Sequence, residues 1–338
     1  MRRIFLLTFL FSTLCYGQRS DFPAIDFKEA DSIAALYKGE SLTNLPVLTH
    51  KLTTDLSTPV EKFRAIYTWV STNIENDYGA YLTTRKKRKK LADDREAYLE
   101  WNASFTPKVF AKLIADRKTA CTGYAYLIRE MASLAGFKCK IVNGYGRTPT
   151  LRLNEKSTAN HSWNTIEIDG KWYLCDATWS AGRVMLQENG PEFQNDYFDG
   201  YFLADPELFI KNHYPLEIGS SLLSDLPTFK EFLDGPVVYK EAFTLPIVPL
   251  YPNKMHIEIA KNDLVSFGFS VPEEFEGKEI RLVLNTGGND RTVTPKSSLV
   301  PKKCILDYTF EKTGLYDVHI KIEDTLVATY VVRVKRHK

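Results

Sequence analysis

An α+β protein is predicted, with helices packed on an antiparallel sheet and then an all-β sandwich. Three observations predict it. Apolar residues recur at three- and four-residue steps up to about residue 136. Asp169-Gly170, a strong tight-turn pair, joins two β-rich runs. From about residue 241 short β-rich segments follow one another, separated by turns. The length of 338 residues suits two domains. With 44% hydrophobic and 25% charged residues, 18 Gly and 16 Pro, the chain is neither collagen-like, disordered nor of low complexity. Its 44 bases nearly balance its 42 acids, so no global basic field points to nucleic acid.

Residues 1–17 read as a secretory signal. Arg2 and Arg3 precede the apolar run Ile4–Leu14, and Cys15-Tyr16-Gly17 ends in a small residue before Gln18. The expectation is export to the periplasm or beyond the cell, with cleavage near Gly17. No other apolar stretch approaches the ~18 residues of a membrane span, so no transmembrane anchor is expected. Cleavage leaves 42 bases, 42 acids and four cysteines, Cys121, Cys139, Cys175 and Cys304, too few for a disulfide scaffold.

Residues 18–57 form a helical segment, with candidate helices at Asp26–Tyr37 and from Ser41 to about Leu56. The next helix starts at Thr58, an N-cap followed by Pro59 and completed as a capping box by Glu61. Phe63, Ile66, Trp69, Val70 and Ile74 then form one apolar face. Residues 77–106 depart from this pattern. They carry six consecutive bases, Arg85–Lys90, expected as a solvated loop or helix face. Pro107 is expected to open a further helix, and another runs from Cys121 to Gly136. Strands follow at 138–144, 161–168 and 171–177. Residues 191–240 are irregular and aromatic, a connector packed on the core. Residues 241–338 carry the strands of an antiparallel sandwich.

The chemistry concentrates at three positions. Cys121 stands at a helix start, where free N–H groups and the helix dipole favour a thiolate and place its own N–H for an oxyanion. His161 opens one strand of the hairpin, and Asp176 closes the other. With Ile168 paired to Lys171, His161 and Asp176 are diagonal neighbours on one face. Nucleophile, base and orienter then occur in chain order.

These segments resemble the transglutaminase-like superfamily, with its papain-like Cys-His-Asp core. The matching motifs are Cys121-Thr-Gly-Tyr-Ala125, His161-Ser-Trp-Asn164 and Asp176-Ala-Thr-Trp179. The resemblance spans about residues 58–190. Through Tyr201-Phe-Leu-Ala-Asp-Pro206 and the following Ig-like sandwich, it is similar to the kyphoscoliosis-peptidase-like branch. It implies Cys121 as nucleophile, His161 as general base and Asp176 as its orienter. The implied activity is that of a cysteine hydrolase acting on a protein or peptide amide. A cross-linking transglutaminase and a non-catalytic binding module on the same fold are the alternatives. Trp163, Trp179, Tyr124 and Asn160 are candidates for the substrate cleft. Trp69, Trp101 and Tyr78 are further possibilities around the oxyanion. The 77–106 insertion is placed to shape or cover the cleft.

Competing readings pair Cys121 or Cys175 with Cys139 as a disulfide, or gather Cys121, His161 and Cys175 around a metal. No metal-ligand spacing supports the second. His50, His213, His256, His319 and His337 have no acidic or cysteine cluster near them and read as surface or core residues. No phosphate loop, dinucleotide fingerprint or calcium loop is present, so no cofactor is implied. Oligomeric state is not encoded in any motif.

Overall fold

The computed structural model describes residues 18–336; the expected leader and His337 lie outside them. Three helices lead: α1 (Lys28–Leu36), α2 (Leu45–Thr53) and α3 (Pro59–Asn73). The Thr58 hydroxyl accepts from Glu61 N, and the Glu61 carboxylate accepts from Thr58 N, closing the expected capping box. Arg64, buried in α3, donates to both carboxylate oxygens of Asp31 in α1 at 2.7 and 2.9 Å.

Two short parallel strands, β1 (Glu75–Asn76) and β2 (Lys118–Thr119), pin the base of a helical hairpin. Its arms are α4 (Tyr78–Lys90) and α5 (Arg95–Asp116). Pro107 lies inside α5 and does not start it. The stronger start is Asp94, whose carboxylate accepts from Ala97 N at 3.0 Å. Proline's missing N–H leaves a carbonyl one turn back without its helical donor. Nearby, the Ser104 and Thr106 hydroxyls donate to the carbonyls of Trp101 and Asn102.

Helix α6 (Cys121–Leu134) then packs on a four-stranded antiparallel sheet ordered β5-β4-β3-β8. Its strands are β3 (Cys139–Gly146), β4 (His161–Ile168), β5 (Lys171–Cys175) and β8 (His213–Pro215). The β4–β5 hairpin has the expected register, Ile168 opposite Lys171 and Asn164 opposite Cys175. Asp169 and Gly170 both have positive φ, 52° and 79°, as a type I′ turn requires. Strand β5 ends two residues earlier than expected, because Asp176 caps α7 (Ala177–Ala181).

The stretch expected to be irregular is more ordered. A hairpin of β6 (Gly182–Gln187) and β7 (Gly190–Asn195) reaches into it, and α8 (Pro206–Phe209) leads into β8, the fourth strand of the sheet. Next come α9 (Phe229–Asp234) and β9 (Val237–Val238).

The C-terminal part is Ig-like. One sheet orders β10 (Val248–Tyr251), β12 (Leu264–Ser270), β16 (Lys303–Thr309) and β15 (Lys296–Val300). The other orders β11 (His256–Ala260), β18 (Thr325–Lys335), β17 (Gly314–Ile322), β13 (Ile280–Asn285) and β14 (Asp290–Val293), with β9 also paired to β18. The sandwich is not wholly antiparallel, since β11 runs parallel to β18.

The strand alternation splits the four-stranded sheet between two cores. Ile166, Ile168, Tyr173 and Cys175 face the helices. Val142, Trp163 and Leu174 face Tyr201, Phe209 and, continuously, the sandwich interior around Phe267 and Leu282.

Candidate active site

Cys121 is the first residue of α6 and keeps only 7% of its surface. Gly123 N and Tyr124 N both reach back to Ala120 O. The N–H of Cys121 has no partner within its own helix and stands next to the sulfur, as an oxyanion donor must. Gly123 is required here, because a Cβ would sit 1.9 Å from the Thr119 hydroxyl.

The helix and the strand opposite are fixed to each other by Asn164. Its side-chain amide donates to Ala125 O in α6 at 2.9 Å and to Lys140 O in β3 at 3.2 Å. His161, three residues earlier on β4, lies beside the start of α6, close enough to Cys121 that each shifts the other's titration. Its Nε2 lies 2.6 Å from Asp176 Oδ2, leaving Nδ1 for the sulfur.

Asp176 is 1% exposed and has four hydrogen-bond partners. Oδ1 accepts from Thr178 N (2.8 Å) and Trp179 N (3.2 Å), which caps α7 and fixes the carboxylate plane. Oδ2 accepts from His161 and lies 3.0 Å from His213 Nε2. His213 comes from β8, is buried, and stacks on Phe209 with ring centroids 3.9 Å apart. Its Nδ1 is 2.6 Å from the Asn212 side-chain amide.

The protonation states follow. Burial alone would push the Cys121 thiol up, but the hydrogen bond and charge of His161 prevail and hold it below 9.0. Burial would likewise lower His161, yet Asp176 and Cys121 raise it to about 10. The pair leans toward thiolate and imidazolium. Asp176, despite burial, is held well below the carboxylate range by His161 and His213. His213 is lowered by burial to about 4 and is neutral, so its single proton serves one of two acceptors, Asp176 Oδ2 at 3.0 Å or Asn212 Oδ1 at 2.6 Å.

A cavity of about 100 Å³ opens beside Cys121. The α4–α5 hairpin roofs it with Tyr81, Arg85, Arg88, Phe105, Val109 and Phe110. Asn160 lines it too, though its amide is occupied by Gly146 N and O at 2.7 and 2.9 Å. The other expected cleft residues do not line it. Tyr124 is core, its hydroxyl donating to Ile74 O. Trp163 and Trp179 flank His161 with centroids 6.0 and 5.1 Å away, on the side of His213. Trp69, Tyr78 and Trp101 are also absent from its lining, and the Trp69 indole donates to Tyr37 O.

His213 corrects the expectation that the spare histidines have no acidic neighbour. Of the others, His50 and His256 are exposed and His319 bonds Thr329. The four described cysteines are free thiols, so neither disulfide reading holds. Cys175 faces the helical core, away from His161, which removes it from any shared metal site. His161, Asp176 and His213 do bring three ligand-type atoms within 4.8 Å. Those atoms are committed to one another at 2.6 and 3.0 Å, a hydrogen-bonded row.

With this geometry in hand, known proteins are informative. A sequence model of the Transglutaminase-like superfamily matches residues 47–177. The chain carries a transglutaminase-like domain. That domain begins in α2 and ends just past Asp176. Human kyphoscoliosis peptidase is 28% identical over 228 residues, 67% of this chain and 31% of that protein. Drosophila melanogaster Hillarin is 26% identical over 226 residues, 63% of this chain and 25% of its own length. The Caenorhabditis elegans Lim and transglutaminase domain protein ltd-1 is 22% identical over 304 residues, 87% of this chain and 39% of its own. The chain thus spans about a third of the length of these curated relatives. A solution NMR structure of a titin I27 domain mutant aligns at 16% identity with 28% of this chain and 91% of its own, TM-score 0.20.

Proposed function

We propose that this transglutaminase-like protein is an exported cysteine hydrolase that cleaves a peptide or glutamine-type amide. The observation that carries the reading is the buried row Cys121–His161–Asp176, with Cys121 at a helix N-terminus. The name of the human and mouse relatives, kyphoscoliosis peptidase, favours cleavage over transfer. No helix among the described residues is long and apolar enough to cross a membrane.

The chemistry follows from the charges. The Cys121 thiolate attacks the amide carbon, a C–S bond forms, and the carbonyl electrons move to oxygen beside the Cys121 N–H. His161 gives its Nδ1 proton to the leaving nitrogen as the C–N bond breaks, which leaves a thioester. Neutral His161 then takes a proton from water, the hydroxide attacks the thioester, and the thiolate departs. Asp176 stays ionised throughout and holds the imidazole. A peptide reaches Cys121 through the cavity under the α4–α5 roof.

The test is mass spectrometry of denatured protein substrates incubated with the wild type, with Cys121→Ala and with added free lysine. Cleaved products and a transient mass on the Cys121 peptide, both lost in Cys121→Ala, are expected. Lysine-linked products without cleavage would replace hydrolysis by acyl transfer. No Cys121-dependent product would favour a binding module.

A further inference from the structure

We propose that the cleft over Cys121 selects an acidic peptide, whose carboxylate side chains beside the reacting amide are read by Arg85 and the basic face of α4. This substrate class rests on the thiol chemistry proposed above.

The six bases Arg85–Lys90 occupy the second half of α4, and two of them, Arg85 and Arg88, line the same cavity as Cys121. None of the six has a carboxylate within 4.0 Å among the described residues, whereas Lys112 on the adjoining α5 pairs with Asp77 at 2.6 Å. Arg88 spends its donors on neutral groups, the Tyr98 hydroxyl at 3.3 Å and Ala159 O at 3.1 Å, so its charge is not cancelled. No Asp or Glu lines the cavity.

This concentration costs stability. Arg85 faces Arg88 and Lys89 at three- and four-residue spacing, and Lys86 faces Lys89 and Lys90, all repulsive pairs. The carbonyl dipoles at the helix end compensate Lys87 to Lys90, but their effect fades within the last turn and does not serve Arg85 or Lys86. From Gln18 onward the chain has equal numbers of bases and acids, so the excess is local to the roof of the site. A ligand that brings its own negative charge resolves it.

A peptide fits better than an anionic membrane. Arg85 and Arg88 point into a recess beside the nucleophile, alongside Tyr81, Phe105, Val109 and Phe110. A bilayer surface presents its charge to an open face, whereas a peptide offers carboxylates and apolar side chains together.

The experiment follows iodoacetamide alkylation of Cys121 in the full protein, read by mass spectrometry of the Cys121 peptide. Three competitors are compared: a glutamate-rich decapeptide, a lysine-rich decapeptide, and vesicles of phosphatidylserine and phosphatidylcholine. The glutamate peptide should slow alkylation and the lysine peptide should not. Arg85→Gln, Lys86→Gln and Lys89→Gln, singly and together, should weaken that protection by about threefold per charge at low salt, as unit charges about 6 Å apart in water imply. Added salt should erase it. Equal effects of the two peptides, or protection that survives in the triple variant, would overturn the proposal. Protection by vesicles alone would overturn it in favour of a membrane surface. A Cys121 that iodoacetamide never modifies would instead overturn the underlying thiol reading.

Discussion

Replacing His161 by Ala tests the electrostatics of the site most directly. In the wild type the imidazole opposes the burial of Cys121 and keeps the thiol below 9.0. Without it, burial and the charge of Asp176 raise the thiol, opposed by Arg88. Burial raises two other thiols of the chain, Cys304 to about 11 and Cys139, against the hydrogen bond of Asn164, to about 12. A rise from below 9 to about 11 removes more than 99% of the thiolate at neutral pH, roughly a hundredfold. The more basic thiolate is intrinsically more nucleophilic, with a Brønsted slope near 0.45, which returns roughly eightfold. The net expectation is about a tenfold slower alkylation at pH 7. Above about pH 10 the order reverses, and the variant reacts faster than the wild type. The assay is the second-order iodoacetamide rate at Cys121 between pH 5 and 11.5. Rates within twofold of each other at pH 7, with no crossing at high pH, would refute the reasoning.

Other consequences are equally measurable. His213 is lowered from 6.5 to about 4, so between those values the unfolded chain binds a proton that the folded chain refuses. Its contribution is complete above pH 6.5 and disappears as the pH falls through 4. Urea unfolding at pH 7 and 4.5 should show the wild type losing about 2–3 kcal/mol more than His213→Gln, and parallel losses would contradict the assignment. Gly144→Ala would place a Cβ 2.1 Å from Tyr214 O and 2.5 Å from the Trp163 ring. It should destabilise by about 3 kcal/mol and slow Cys121 alkylation, because Trp163 packs on His161. Arg64→Leu removes the two bonds to Asp31, which keeps the Thr68 hydroxyl, while Asp199 keeps Arg19 at 2.7 Å. A loss of about 1–2 kcal/mol in denaturant unfolding is expected, since both carboxylates are partly exposed.

What could be read in the sequence was local. Thr58, Pro59 and Glu61 announce a helix start within four residues, and Asp169-Gly170 sets a hairpin register that places His161 and Asp176 on one face. His213 could not be found that way. It lies 37 residues beyond Asp176, and its contact exists only because β8 joins the far edge of the sheet. The roof escaped for a related reason. Helix α4 buries no residue completely, so no apolar stripe says which of its faces covers Cys121. Strand β15 is exposed along its whole length and shows no alternation to read. Pro107 misled because the capping carboxylate of Asp94, more than three turns upstream, outweighs one missing N–H on an exposed helix.

The continuity of packing from Trp163 through Tyr201 and Phe243 to Phe267 makes the Ig-like part the back wall of the sheet that carries His161. It is not a cassette that can be removed or exchanged. Cutting the chain near residue 241 would bare Trp163, Leu174 and Phe209 to water and loosen the strands that carry His161 and His213. Residues such as Phe243 and Phe267, outside the cavity beside Cys121, therefore back the strand that carries His161. Heating should melt both halves in one calorimetric peak, and lesions deep in the sandwich should silence Cys121 from a distance.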